Sequence, residues 1–294
     1  MKYSLPNIIN IPPLIFQIYN TENLSSIKKI LIILLGKVSQ IVIKYFDGKL
    51  FCIFMNLIFR KHSKIDYDNS LNLYSKKLDD KLSISYPNKR IMRVIQKDKV
   101  LIFEKLYKTY CLDQIKFEDS DLIIDCGANV GELYLALEYK NINVKYYAFE
   151  PDIDSFECLK KNIKGNDNLK NIGLSDRDGN ATLYLGTSTG DSSMEYFGSE
   201  NENTIEIKRL DSFNFNKVHL LKIDAEGHEL EVLKGASDIL NNIDFISVDY
   251  GLEKGLDQIS TIVEVTNYLY QNNFHLYKAN LNRNVGLFKN KEIE

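Results

Sequence analysis

Cysteine is scarce in this sequence: four of its 294 residues are cysteines, and no two of them form a Cys-x-x-Cys pair. They are Cys52, Cys111, Cys126 and Cys158. A small protein held together by disulfide bonds would carry more cysteines at more regular spacing. We therefore expect free thiols and a protein that resides in a reducing compartment.

Long uninterrupted apolar runs are also missing. The stretches "ILIILLGKVSQIVI" and "LFCIFMNLIF" lie within residues 24–60, but charged residues interrupt them well before the roughly 18 residues that a membrane-spanning helix requires. The start, "MKYSLPNIINIPPLIF", lacks the continuous apolar core and the cleavage site of a signal peptide. We expect no membrane span and a cytoplasmic protein, with the inner face of the membrane left open as its location.

Positive charge is deficient in the second part of the chain. The formal net charge is −3, but residues 1–120 carry 20 Lys or Arg against 11 Asp or Glu, whereas residues 121–294 carry 17 against 29. A nucleic-acid substrate would require positive charge around the site to contact its phosphates. The charge distribution therefore predicts that nucleic acid is not a partner.

Residues 1–95 are predicted to form a basic and apolar helical extension that precedes a second domain, residues 96–294. Apolar residues at alternating steps of four and three predict one face of a helix, capped by Ser25 or Asn23. They are Ile27, Leu31, Leu34, Val38, Ile41 and Tyr45. Residues 24–60 could thus pack on the rest of the chain, form a homo-oligomer, or contact a membrane peripherally. The net charge of +7 over residues 1–65 favours the membrane contact. The polar segment 63–89 is predicted to be a connecting region.

Apolar segments and segments of helical periodicity alternate from about residue 99 onward. This alternation predicts a mostly parallel sheet flanked by helices, an α/β fold, with an antiparallel pair of strands at the end of the chain. The predicted parallel strands are Leu122–Cys126, Lys145–Glu150, Leu169–Gly173, Leu220–Asp224 and Phe245–Asp249. Residues 186–204 are rich in Gly, Ser, Asn and Thr and predict a mobile loop, which could serve as a lid.

The segment "DLIIDCGANVGE" is typical of a ligand site. An apolar strand leads through a turn of small residues into a helix, and the N–H groups of a first helical turn can receive a ligand. The glycine spacing departs from the G-x-G-x-x-G of dinucleotide sites and fits the D-x-G-x-N-x-G turn of S-adenosylmethionine enzymes. An ordinary strand-to-helix turn is the alternative. The predicted cofactor residues of this turn are Asp125, Gly127, Asn129 and Gly131.

Two further segments could complete a cofactor site. Glu150 ends the next strand, where its carboxylate can accept hydrogen bonds from both hydroxyls of a ribose, unless it is merely a solvated acid. Ser175 and Asp176 follow the third strand and could reach the amino group of adenine, although "SDRDG" is also an ordinary turn.

The segment "LLKIDAEGHELEVLKGA", residues 220–236, supplies the candidate catalytic residues. Asp224 ends an apolar strand beside a glycine-containing turn, which would place its carboxylate in the crevice at the sheet edge. Glu226 and Gly227 open the next helix and His228 lies in its first turn, where Glu226 could instead be a cap and His228 a surface residue. We predict all three as catalytic, with Asp224 the first candidate for a base.

These segments, together with "AFEPD" and "NIGLSDRDGNATLY", resemble those of the FkbM family of S-adenosylmethionine-dependent methyltransferases over roughly residues 100–290. The resemblance implies a class I Rossmann-like fold with a mostly parallel seven-stranded sheet, and O-methylation, often of a hydroxyl on a sugar or polyketide. The family's cofactor site matches Asp125, Gly127, Asn129, Gly131 and Glu150. Its motif around the reaction centre matches Asp224, Glu226, Gly227 and His228.

The sequence departs from the family pattern in two places. Asp249 in "SVDYG" stands where a Glu is more usual, which puts any role for this residue in doubt. Residues 1 to about 95 resemble no family that we recognise, which leaves the acceptor without a name.

The function expected from these observations is O-methylation of a sugar hydroxyl in a glycan or glycan precursor, a step of polysaccharide biosynthesis, with a glycan or small molecule as acceptor. Mg²⁺ is a further option, because Asp224, Glu226 and Asp249 would converge at neighbouring strand ends. The alternatives are a non-catalytic module for cofactor binding or assembly, and, less favoured without the phosphate fingerprint, an NAD-dependent oxidoreductase or epimerase.

Overall fold

The structure is a computed structural model that describes residues 25–60, 62, 64–80, 82–95, 98–186 and 192–292. The chain divides into two compact units, residues 1–102 and 103–294. This division lies close to the boundary after residue 95 that the sequence suggested.

The first unit combines two helices with a small antiparallel sheet. The helices are α1 (Ser26–Tyr45) and α2 (Gly48–Ile58). The strands β1 (Ile65–Asp68), β2 (Leu73–Lys77) and β3 (Ser83–Tyr86) pair in the order β1-β2-β3. A 3-10 helix, Lys89–Val94, follows, and α3 (Lys99–Thr109) begins at the end of this unit.

Helix α1 is present where the periodicity predicted it, but it buries a different face. The six residues of the predicted face are 47–80% exposed, while Ile32, Ser39 and Val42 are buried. The sequence of α1 is apolar on more than one side, so its period alone does not decide which side is covered. Ser25 is the N-cap without a side-chain hydrogen bond, and Asn23 lies outside the described residues. Within the described chain, no helix has the length and apolar character to cross a membrane.

The prediction of a connecting region over residues 63–89 is wrong, because these residues contain the three strands β1 to β3. Their alternating pattern is hidden by polar residues. Ile65, Tyr74 and Ile84 are buried, and Lys76, on the same face of β2 as Tyr74, is buried with its ammonium donating to the carbonyl of Val94. Because Lys76 is a charged residue at a buried position, the sequence of this segment predicted an exposed connecting region instead of strands.

The second unit is the α/β domain that the sequence predicted. Its helices after α3 are α4 (Glu132–Tyr139), α5 (Ile153–Asn162), α6 (Glu229–Lys234) and α7 (Ile262–Gln271). The strands of its main sheet are β4 (Leu122–Cys126), β5 (Lys145–Phe149), β6 (Leu169–Lys170), β11 (Val218–Ile223), β12 (Ile243–Asp249), β15 (Phe274–Asn280) and β16 (Val285–Asn290).

The main sheet has seven strands in the order β15-β16-β12-β11-β4-β5-β6. The five strands from β12 to β6 are parallel, and β15 and β16 are antiparallel, as predicted for the end of the chain. The chain proceeds from β4 towards β6 and then returns to β11 on the other side of β4. Ligands of open α/β sheets bind at such a reversal, outside the carboxyl ends of the strands.

Both faces of the central strands are buried, as expected for a parallel sheet covered by helices. Ile124 and Leu221 pack with α6 and α7 on one face, and Ile123 and Leu220 pack with α4 and α5 on the other. Apolar residues on both faces explain why these strands read as continuous apolar runs in the sequence.

The predicted third strand, 169–173, is split in two. After β6 the chain leaves the main sheet, and β7 (Gly173–Leu174) joins a second sheet of order β7-β10-β8-β9. The other strands of this sheet are β8 (Gly179–Leu185), β9 (Ser192–Ser193) and β10 (Glu202–Lys208). The predicted loop 186–204 is thus partly strand, and its residues 187–191 lie outside the described residues. A hairpin of β13 (Leu252–Lys254) and β14 (Ile259–Ser260) completes the unit.

Candidate active site

Strand register brings four of the residues discussed above to one edge of the main sheet. Cys126 pairs with Phe149 and with Ile223, so Gly127, Glu150 and Asp224 follow the pairs side by side. Ile223 also pairs with Val248, which places Asp249 next to Asp224. The carboxyl edge therefore carries a glycine turn between an acid on one side and two acids on the other.

The turn after β4 can be formed only with glycine at its first position. Gly127 has φ +73°, and a Cβ there would lie 1.9 Å from the backbone oxygen of Asp224. Asn129 and Gly131 also have positive φ, which asparagine and glycine adopt most readily. The spacing D-x-G-x-N-x-G thus corresponds to a turn in which the backbone reverses direction close to the end of β11.

The amides of this turn have partners within the protein. The N–H groups of Gly127 and Ala128 donate to the carbonyl of Phe149, at 3.0 and 3.1 Å, and Asn129 N donates to Oε2 of Glu150 at 2.7 Å. The side chain of Asn129 accepts from Val130 N at 2.9 Å. These bonds fix the shape of the turn before any ligand binds.

Glu150 is buried at the end of β5 and joins the turn to the next helix. Besides Asn129 N, its carboxylate accepts the N–H of Asp152 at 2.9 Å through Oε1. Burial raises the pKa of Glu150 to about 7, although the hydrogen bonds from the backbone N–H groups of Asp152 and Asn129 lower it. A carboxylate offers about four lone-pair sites, so each oxygen retains one for a further donor such as a ribose hydroxyl.

Lys222 lies in the middle of β11 and is buried, which is rare for a lysine. Its ammonium lies 2.9 Å from Oδ1 of Asp125 and 3.8 Å from Oδ2 of Asp224, and it donates to the carbonyl of Gly127 at 2.8 Å. Burial by itself would lower the pKa of Lys222, but the Asp125 and Asp224 carboxylates and Tyr110 raise it well above its ordinary value. Asp125 also accepts from the hydroxyl of Tyr146. This predicted cofactor residue is therefore buried behind the turn, where it anchors Lys222.

Asp224 is the more accessible member of an acidic pair. Its side chain is 24% exposed, and its Oδ2 accepts the hydroxyl of Tyr110 at 2.6 Å. Burial and the Asp224 carboxylate raise the pKa of Tyr110 well above its ordinary value, so the phenol stays a donor. Asp249 is buried, and burial together with the charge of Asp224 raises its pKa to about 8, although Arg283 lies 3.7 Å away. Asp249 is therefore the member of the pair whose charged form burial and the neighbouring carboxylate disfavour.

His228 is buried at the start of α6 and both of its ring nitrogens have partners. Nδ1 lies 2.9 Å from Oε1 of Glu195, and Nε2 lies 3.0 Å from the hydroxyl of Ser175. The hydrogen bond from His228 lowers the pKa of Glu195, so Nδ1–H donates to an ionised carboxylate. Ser175 is itself buried, whereas Asp176 is partly exposed.

Glu226 and Glu229 differ in their burial and in their hydrogen bonds. Glu229, the first residue of α6, is buried, and its carboxylate accepts from Gly227 N at 2.8 Å and from the Thr261 hydroxyl at 2.7 Å. Glu226 is half-buried with φ +50°, and its backbone carbonyl accepts from Ser193 Oγ at 2.6 Å. The cap considered for Glu226 is not formed, because the N-cap of α6 is His228, which makes no side-chain capping hydrogen bond.

Three residues with metal-ligand atoms converge among the described residues, but they are not the predicted ones. Ligand atoms of Glu195, His228 and Glu231 lie within 4.8 Å of one another, whereas the trio of Asp224, Glu226 and Asp249 forms no such group in the described part of the chain. Lys254 forms its ion pair with Glu264 at 2.7 Å. Burial lowers the pKa of Lys254, but Glu264 and, through their charge, Glu231 and Glu195 raise it above its ordinary value.

Sequence reasoning missed three residues that shape this site. Lys222 had a usable signal, because a lysine inside the apolar run "LLKID" must find a partner if the strand is buried. Tyr110 is 114 residues away from the acid that it contacts, and Glu195 lies in the segment predicted to be a loop. Neither of these two has a local pattern that would identify it.

The parallel sheet with reversed strand order, the glycine turn after its first strand and the acid after its second define a class I methyltransferase. A family model described as the methyltransferase FkbM domain matches residues 125–277, just over half of the chain. The chain belongs to this family, and it is a methyltransferase.

Individual relatives agree with this assignment. The chain is 28% identical over 177 residues to methyltransferase sdnD of Sordaria araneosa, which covers 47% of this chain and 68% of the relative. It is 32% identical over 146 residues to the hexuronic acid methyltransferase AglP of Haloferax volcanii, which covers 48% of this chain and 59% of the relative. Among solved structures, a methyltransferase FkbM from Methylobacillus flagellatus aligns with 88% of this chain and 60% of its own, at 13% identity and a TM-score of 0.43.

S-adenosylmethionine is the cofactor that this family implies, and the site fits it. Glu150 retains acceptor positions for a ribose diol at the end of β5. The positive-φ turn brings backbone, without side chains at Gly127 and Gly131, to the sheet edge. A sulfonium is a cation, and the neighbouring carboxylate of Asp224 favours it electrostatically.

Replacing Glu150 by Gln should weaken S-adenosylmethionine binding at least tenfold, about 1.4 kcal/mol. The amide retains one acceptor oxygen and turns its NH₂ towards a backbone N–H. This change destabilises the turn and weakens the contact with the ribose. Isothermal titration measures the change, and Glu157→Gln, on the half-exposed face of α5, serves as the matched control. Equal affinity of Glu150→Gln and the native chain would remove Glu150 from the cofactor site, and heat on titration with NAD would contradict the choice of cofactor.

The raised pKa of Asp249 predicts a pH-dependent stability. Its ordinary value is 3.8 and its folded value is about 8, so the folded protein holds a proton that the unfolded chain releases. This contribution to stability is complete below pH 4 and is lost as the pH rises to 8, by about 1.4 kcal/mol per pH unit. Urea unfolding of Asp249→Asn from pH 5 to 8 should therefore show a flatter decline than the native protein. Asp238→Asn, at an exposed position, should leave the decline unchanged; identical declines for Asp249→Asn and native protein would contradict the buried, protonated Asp249.

Proposed function

We propose that this protein is an S-adenosylmethionine-dependent O-methyltransferase that acts on a hydroxyl of a sugar in a glycan or glycan precursor. The observation that carries the proposal is the position of Asp224, a partly exposed carboxylate beside the cofactor turn that Tyr110 and Lys222 orient. The resemblance to a hexuronic acid methyltransferase supports a sugar as the acceptor.

Methyl transfer places modest demands on the protein. The cofactor supplies an activated methyl group, so the chain must align an acceptor oxygen with it and take the proton of that oxygen as the new bond forms. A sugar hydroxyl is a weak acid, and a nearby carboxylate that accepts its proton lowers the barrier.

Asp224 is the proposed base. The Tyr110 hydroxyl donates to Oδ2, and the 24% exposure of the side chain leaves the carboxylate open to an acceptor hydroxyl that approaches from solvent. Tyr110 and Lys222 restrict the rotation of the side chain, which keeps the receiving oxygen at one place. Asp249, protonated at neutral pH, limits the negative charge next to Asp224 and leaves the base as the charged member of the pair.

Glu226 and His228 take supporting roles in this proposal. His228 holds the turn 226–228 against Ser175 and Glu195, and its ring is engaged at both nitrogens, so it positions rather than accepts a proton. Glu226 lies on the same turn and is proposed to contact the acceptor. The proposed mechanism uses side chains alone, without a metal ion.

A sugar acceptor would meet charge of both signs at this edge. The acids repel an anionic sugar, whereas Arg283, 54% exposed and 3.7 Å from Asp249, could pair with the carboxylate of a uronic acid. An acceptor panel should therefore contain neutral and uronic sugars, free and within glycans, with labelled S-adenosylmethionine and with or without Mg²⁺. Label found on a carboxylate as an ester, or on no sugar, would contradict the proposed O-methylation of a hydroxyl.

Asp224→Asn should lower kcat by a factor of 10² to 10⁴ while cofactor affinity falls by no more than about tenfold, because the amide retains the Tyr110 contact but loses the charge that favours the sulfonium and cannot take a proton. The first quantity is measured with the best acceptor of the panel and the second by isothermal titration. Asp238→Asn is the matched control and should retain native turnover. Unchanged turnover in Asp224→Asn would exclude it as the base, and a chain that binds cofactor but labels no acceptor would favour a non-catalytic module.

A further inference from the structure

Each of the first two helices exposes one stripe of large apolar side chains. The residues of these exposed apolar stripes are Ile27, Ile30, Leu31, Leu34, Val38, Ile41 and Tyr45 on α1, and Leu50, Ile53 and Leu57 on α2. All ten are 47–80% exposed. Contiguous apolar surface of this kind marks an interaction site rather than ordinary surface.

The stripes are not the sides of the helices that the first unit uses for its own core. Ile32 and Val42 of α1, and Phe51, Cys52 and Met55 of α2, are the buried residues. The ring of Phe51 packs edge-on against Tyr74 of β2 at 5.5 Å. Among the described residues, the core of the unit thus uses other sides of the two helices than the stripes.

The charge around the stripes identifies the chemistry of that partner. Residues 25–60 contain six Lys or Arg and a single acid, Asp47. Lys37 and Lys44 are seven residues apart and therefore lie along the same flank of α1, beside its stripe. Long basic side chains next to an apolar stripe can extend to phosphate groups while the stripe enters an apolar phase.

Two other occupants fit this charge less well. A symmetric homodimer would place the same surface of both copies face to face, so that two surfaces of +5 would repel. The preceding segment, residues 1–24, contains one Lys and one Glu, so it has no net negative charge to complement the lysines. An anionic lipid bilayer supplies both the apolar phase and the negative charge.

We infer that α1 and α2 dock this protein on the surface of an anionic phospholipid bilayer, with the exposed apolar stripes in the acyl boundary and the lysines at the headgroups. The docking is interfacial, in keeping with the lack of a membrane-crossing helix among the described residues. It does not depend on the proposed reaction, because it rests on the first unit alone.

The test uses the full chain and sedimentation with vesicles. Vesicles of equal parts phosphatidylglycerol and phosphatidylcholine should bind it at least tenfold more tightly than vesicles of phosphatidylcholine alone. Because the charge is screened by salt, raising the salt from 0.05 to 0.5 M should weaken this binding severalfold.

Two sets of variants separate docking from misfolding. Leu34→Glu with Ile41→Glu should lower binding at least tenfold, and since both positions are exposed the thermal midpoint should not fall. Leu281→Glu, at an apolar position 84% exposed in the second unit, is the matched control and should bind like the native chain. Lys44→Gln with Lys49→Gln should also weaken binding to anionic vesicles, whereas Lys164→Gln with Lys234→Gln should not.

Three results would overturn the inference. The first is equal binding to neutral and anionic vesicles, or binding to neither. The second is a dimer that Leu34→Glu with Ile41→Glu dissociates while vesicle binding is absent, which would assign the stripes to a second copy. The third is vesicle binding that emerges only after removal of residues 1–24, which would assign the stripes to that segment.

Discussion

The charge of Lys222, buried in the central strand β11, is the constraint around which the site is arranged. A buried ammonium is tolerated only when oxygen atoms surround it, and here they come from Asp125 on β4, the carbonyl of Gly127 and, at longer range, Asp224. These groups belong to the two strands at which the order of the sheet reverses. Satisfying one charge therefore fixes the cofactor turn and the proposed base relative to each other.

The close approach that this arrangement requires explains the small residues of the turn. The backbone of Asp224 lies so near Gly127 that a Cβ would collide with it, and Asn129 turns back to place its N–H on Glu150. Two acids with raised pKa values, Glu150 and Asp249, flank the turn and are protonated in part near neutral pH. The site thus buries several carboxyl groups, and its negative charge is concentrated at Asp224, beside the turn proposed to bind the cationic cofactor.

The fold was predictable because β-α alternation and glycine turns are local signals. The antiparallel end of the sheet and the turn at Gly127 and Gly131 were read correctly for that reason. Lys76, a charged residue facing a core, hid the strands of residues 63–89, and helix α1 is apolar on two sides, so its buried side depended on α2. The contacts of Tyr110 with Asp224 and of Glu195 with His228 join segments that are far apart in the sequence. No residue spacing within either segment predicts these contacts.

A double-mutant cycle on Lys222 and Asp125 tests the central role of the buried charge most directly. The free energy of unfolding in urea at pH 7 is measured for the native chain, Lys222→Met, Asp125→Asn and the double variant. Each single change should cost about 3 to 5 kcal/mol, because it leaves a buried charge without its partner, and the double variant should cost clearly less than the two together. Strictly additive costs, or single variants as stable as the native chain, would contradict the account.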